Sequence, residues 1–130
     1  MMSLEEYINK KQSNKEKSKD FVSFLYDLMD KYNITKTSDI YNKANITKQA
    51  FSSIISGKCN PSLNTCVKIA FAMKLDNHDC KYLLKKAGYT LPSSSKYSCI
   101  IRYCIENKIY DLYKLNEYLE QYGFVDSLMK

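Results

Sequence analysis

The chain has 130 residues, 45% hydrophobic and 26% charged, the make-up of one folded domain with an extension and not of a disordered chain. No run approaches the ~18 apolar residues of a membrane span, and MMSLEEYINKKQSNKEKSK has no secretory apolar stretch, so a cytoplasmic protein with no membrane partner is expected. Three glycines and two prolines are too few for a fold of many tight turns, which favours helix, and the net charge of +6 invites a polyanion.

The elements follow in chain order. Ser3-Leu-Glu-Glu6 has the form of a capping box, and Leu4, Tyr7 and Ile8 share a face, which predicts a short helix to about residue 10. Lys10 to Lys19 is polar and lysine-rich and reads either as a solvated continuation of helix or as a basic arm. From Asp20 the pattern changes: Phe21, Phe24, Leu25, Leu28, Met29 and Tyr32 recur at three- and four-residue steps until Asn33. Thr37 to Ala44 predicts two turns of helix with Ile40, Tyr41 and Ala44 inward. Asn45, which tolerates left-handed backbone, suits a tight turn to a third helix, Lys48 to Ser56, capped by Thr47 and stopped by Gly57, with Ala50, Phe51, Ile54 and Ile55 apolar. Ser62 caps a helix from Leu63 to Met73, and Asn77 is expected to cap another from His78 to Ala87 before Gly88. After Pro92-Ser-Ser-Ser95, two more helices are expected at Lys96–Asn107 and Leu112–Tyr122, the last with Leu112, Leu115, Leu119 and Tyr122 apolar. The expected fold is all-α, with an N-terminal helix or basic arm (1–19), a helical unit (20–91) and a C-terminal helical extension (92–130).

Catalytic and metal chemistry finds little support. Five cysteines (Cys59, Cys66, Cys80, Cys99, Cys104) form no CxxC pair and His78 is the sole histidine, so reduced thiols and no metal or cofactor are expected. The paired acids Glu5-Glu6 and Asp76/Asp79 fall at helix starts, where they favour the macrodipole, and no glycine-rich phosphate loop exists, so no enzyme is expected. Nineteen of the 20 basic residues are lysine, and Asn, Ile and Tyr are also abundant; all four residues have AT-rich codons, which points to a low-GC bacterial or phage source.

The stretch D-I-Y-N-K-A-N-I-T-K-Q-A-F-S-S-I-I-S-G-K-C-N-P-S-L-N-T-C-V-K-I-A-F-A-M-K-L, Asp39 to Leu75, resembles the Cro/repressor-like (Xre) helix-turn-helix family, and the resemblance extends from Asp20 to about Gly88. It implies a five-helix unit whose third helix enters the major groove of double-stranded DNA. Carried over by position, Lys48, Gln49, Ser52 and Ser53 would read base edges, Gln49 pairing with adenine and Lys48 reaching guanine. Lys36, Thr37, Thr47, Ser56, Lys58 and Asn60 would hold phosphates. Tyr41 stands where the family carries a small residue and Asn45 where it carries glycine. Leu83 to Tyr97 and Ile109 to Leu119 look like a Firmicutes variant with a helical C-terminal extension.

Charge and aromatic rings are unevenly spread. Residues 1–96 carry 16 lysines against 9 acids, whereas residues 97–130 carry 3 lysines and Arg102 against 5 acids. Seven of the 17 aromatics fall in those last 34 residues, more than two helices can bury between themselves, so some rings are expected to cover the core near Tyr41. Tyr110, Tyr113, Tyr118 and Tyr122 are the expected association surface, for a homodimer on a palindromic site or for a protein partner. A sequence-specific transcriptional regulator or repressor is the leading expectation. The rival is a protein-binding helix-turn-helix module, an antitoxin or nuclease inhibitor, acting through the tyrosine-rich extension.

Overall fold

The computed structural model describes residues 3–124, the side chains of 7–19 excepted. Helices are the only regular elements among them: α1 (Leu4–Lys31), α2 (Thr37–Lys43), α3 (Lys48–Ile55), α4 (Leu63–Ala72), α5 (Asn77–Lys86), α6 (Lys96–Glu106) and α7 (Leu112–Gln121). The described chain is all-α, and none of its helices is long and apolar enough to cross a membrane.

The helix starts follow the expected chemistry with one exception and one correction. Ser3 and Glu6 complete the capping box, and Thr47, Ser62, Ser95 and Asp111 each accept a backbone N–H from the first turn they precede. The fifth helix is capped by Asp76, not by Asn77: the Asp76 carboxylate accepts the Asp79 N–H at 2.8 Å, and Asn77 is the first helical residue. A carboxylate at that end meets both an orphan donor and the positive pole of the helix. Of the described helices α2 alone begins without a side-chain cap, because Lys36 occupies the position. Lys10–Lys19 is the continuation of helix, so α1 is a single element of 28 residues; the expected facing of Tyr7 and Ile8 lies outside the described side chains.

The helix ends share one device. The residue after each C-cap (Asn33, Asn45, Gly57, Lys74, Gly88, Lys108 and Gly123) has φ between +55° and +97°. The next residue then sends its N–H back across the last turn, as in Ile34 to Met29 O (2.8 Å) and Ile109 to Cys104 O (2.7 Å). This closure satisfies carbonyls that a helix end would otherwise leave unpaired. It also drops the returning residue onto the core: Ile34, Ile46, Leu75, Tyr89, Ile109 and Phe124 all pack there. The exception is α3, whose returning residue is the exposed Lys58.

Helix α5 is the hub. It packs against α1, α4 and α6, while α4 continues the contact to α2, α2 to α3, and α6 to α7. Phe21, Leu25, Ile69, Phe71, Leu83, Leu115 and Leu119 are fully buried in one cluster that runs from α1 to α7. Each such side chain contributes roughly 1.5–3 kcal/mol. Two residues expected at apolar helix positions are at the surface. Ala50 lies about 100° around α3 from Phe51, off the apolar arc, and Tyr122, the C-cap of α7, is 59% exposed. Tyr41 packs against Phe51 of α3 (ring centroids 5.7 Å), and a ring of the extension, Tyr110, covers the core at Phe71.

Tyrosine hydroxyls fix how the helices sit on one another. Tyr89 donates to Pro61 O (2.9 Å), Tyr97 to Asn64 Oδ1 on α4 (3.3 Å) and Tyr110 to Leu75 O (2.9 Å). Tyr32, at the end of α1, donates to Asp79 Oδ2 (2.7 Å) and accepts the Asp76 N–H (3.2 Å). Burial pushes the Tyr32 and Tyr97 phenols up to about 12. Lys31 Nζ lies 2.8 Å from the same oxygen of Asp79, the one buried charged residue among those described. Burial opposes ionisation of Asp79, but the hydrogen bonds from Lys31 and Tyr32 prevail and hold its carboxyl below the ordinary 3.8. The stability this provides is present at neutral pH and is lost as pH falls through the depressed value.

Tyr32→Phe is therefore expected to lower stability by about 1–2 kcal/mol, read from urea unfolding, because it orphans the Asp76 N–H and one acceptor of Asp79. The deficit should shrink as pH falls below the Asp79 carboxyl's range. Lys108→Gly should raise stability by about 1 kcal/mol in the same assay, by removing a side chain from left-handed backbone; an unchanged midpoint would show that the φ of +55° carries no strain.

Candidate functional site

Helices α2 and α3 are short because the chain between them must turn at once. Asn45, at φ +57°, closes α2 and lets Ile46 return its N–H to Tyr41 O at 2.9 Å. Thr47 then starts α3, its Oγ1 accepting the Ala50 N–H at 3.1 Å, which leaves its own hydroxyl proton free to donate outward. Ile40, Ala44, Phe51 and Ile54 are buried, so the pair is clamped along one side. The opposite side of α3 presents Lys48, Gln49 and Ser52 to solvent, with Ser53 half-buried.

Between the start of α2, the outer side of α3 and Tyr26 of α1 lies a hollow of about 600 Å³. It gathers five of the residues singled out in the sequence: Lys36, Thr37, Lys48, Ser52 and Ser56. Its cations are Lys36 and Lys48, and no acidic side chain lines it among the described residues. With Lys36 in place of a cap, no side chain occupies the first backbone N–H groups of α2, whose start borders the hollow. The Asp39 N–H is taken by Lys36 O (3.2 Å) and Asp39 puts an acid in the same turn, so attraction for an anionic oxygen rests mainly on the two lysines. No residue of α6 or α7 lines this hollow.

The other expected residues are placed differently. Gln49 is exposed outside the hollow, and Lys58 is exposed just past the end of α3. The Ser53 carbonyl is occupied by the N–H groups of Lys58 and Cys59, and the Ser56 hydroxyl also donates to it (3.2 Å). Asn60 donates its side-chain amide to Ala87 O (3.2 Å), tying the α3–α4 link to the end of α5. On the extension, Tyr113 is 73% exposed, Tyr118 is half-buried against Tyr103, and Tyr110 lies edge-on to Phe71. Sequence reasoning missed Tyr26 and Thr35 as walls of the hollow; Tyr26 was legible only as a polar-edged ring off the apolar arc of α1. Among the described residues no cluster of His, Cys, Asp or Glu could hold a metal ion.

Compared with protein-family models, with curated proteins and with solved structures, the chain matches none of them.

If the bare start of α2 is a feature of the site and not a fault of the fold, then Lys36→Ser should stabilise the protein by about 0.5–1 kcal/mol by supplying the missing cap. Thermal unfolding checks this; a loss of stability would mean that Lys36 has a structural role.

Proposed function

We propose that this protein is a sequence-specific DNA-binding regulator of the Cro/repressor-like helix-turn-helix kind, a five-helix unit from α1 to α5 with α6 and α7 as its extension. The observation that carries this reading is a coincidence of exceptions. Of the described helices, only α2 starts without a capping side chain and only α3 ends without an apolar return, and both ends border one lysine-bearing hollow. Rules of local structure are broken where function needs the atoms for something else.

In this reading α3 enters the major groove with Lys48, Gln49 and Ser52 toward the bases. Lys36, Thr37 and Thr47 face one phosphate strand, with Lys58 beyond them, while the Ser56 hydroxyl proton is held by Ser53 O. One such helix covers few base pairs, so a two-fold dimer on a palindrome is part of the proposal, with the exposed Tyr113 and Tyr122 of α7 as the contact. The rival reading, a protein-binding module, draws support from the same exposed tyrosines; the uncovered outer side of α3 favours DNA.

Selection from random duplex DNA with the purified protein should return a short, palindromic consensus. Binding should weaken linearly in logarithmic salt, with the slope falling by about one for each phosphate-bound lysine removed. Gln49→Ala should relax one base position at a cost of about 1–3 kcal/mol, whereas Lys36→Ser should weaken all sites alike while leaving the consensus intact. No enriched sequence, or a flat salt dependence, would leave the rival standing.

A further inference from the structure

A second cavity, of about 420 Å³, lies on the other side of the hub, between α5, the Tyr89–Ser95 connection and α6. It is about three times the ~150 Å³ that accommodates a benzene molecule and sits at the lower end of the roughly 300–1,000 Å³ typical of small-ligand sites. Its floor is apolar and buried: Cys80, Leu84 and Ile101. Its rim is cationic: Lys81 and Lys85 are exposed and Arg102 is half-buried, while no acidic side chain lines the cavity among the described residues. None of the three cations is in an ion pair within those residues; Lys85 Nζ lies 5.8 Å over the Tyr82 ring, and Arg102 spends one donor on Ser93 O (2.6 Å).

The lining holds one more anomaly. Ser98 Oγ is inaccessible to solvent yet has no hydrogen-bond partner among the described residues. That hydroxyl is sealed from the cavity, so what faces a ligand is the apolar floor and the unpaired cations, which together suit an apolar body with an anionic head.

We propose that this cavity binds a small amphipathic carboxylate, its hydrocarbon part on Leu84 and Ile101 and its carboxylate between Lys81, Lys85 and Arg102. The site joins α5 of the core to α6 of the extension, and the assignment does not depend on the role of α3.

The test titrates the isotope-labelled full chain with octanoate, octan-1-ol and octylammonium, following backbone amide signals. Octanoate is expected to shift Leu84, Ser98 and Ile101 saturably and to bind at least about tenfold more tightly than either control, the worth of one charge-assisted hydrogen bond. Reversing the two exposed charges, Lys81→Glu with Lys85→Glu, leaves the floor untouched and should cost octanoate about tenfold or more by the same reasoning. Equal binding of the three probes, saturable shifts elsewhere, no saturation, or an unchanged affinity in the charge-reversed variant would each overturn the assignment.

Discussion

Short helices must be ended before they can be packed. Most helices here have seven to eleven residues, too few to persist alone in water. Each is useful only if the chain stops cleanly and turns its apolar side back on its neighbours. A left-handed residue followed by a backbone bond across the last turn does both, and in six helices it also delivers a core side chain. The termination signal and the packing are one structural event, so the order of the helices and the continuity of the core rest on it.

That dependence explains why the two exceptions carry weight. A helix start without a cap and a helix end without an apolar return each forgo stabilisation that this chain takes elsewhere. Both occur on the α2–α3 face, where Lys36 and Lys58 leave polar backbone and charge turned to solvent. Residues 1–96, which include this face, also carry the chain's excess of lysine over acid.

Much of the architecture was legible because amphipathic periodicity and capping residues are local. The bounds of α2 to α7 lie within a residue or so of where Ile40, Phe51, Val67, Leu83, Ile101 and Leu115 put them. The continuity of α1 was not, since Lys10–Lys19 has no apolar period and its helix rests on the intrinsic preference of Lys, Glu and Gln. Lys74 and Lys108 concealed two terminators, because lysine in left-handed backbone carries no compositional mark. The Lys31–Asp79 pair joins residues 48 apart in a lysine-rich chain, where nothing local singles out the partner. The hollow was half legible: Lys36, Thr37 and Lys48 follow from helix starts, but Tyr26 and Thr35 arrive only through tertiary packing.

The tyrosine hydroxyls add something the hydrophobic cluster cannot. Dispersion and burial reward any dense arrangement and are nearly indifferent to a helix sliding along its neighbour. Four phenolic oxygens, on Tyr32, Tyr89, Tyr97 and Tyr110, each find one acceptor on a different part of the chain. They turn a filled interior into an aligned one. The same rings without their oxygens would keep the volume but leave Asp79, Pro61, Asn64 and Leu75 each short of one hydrogen bond. A handful of oxygen atoms at the margin of the core thus tell one helix alignment from its near neighbours.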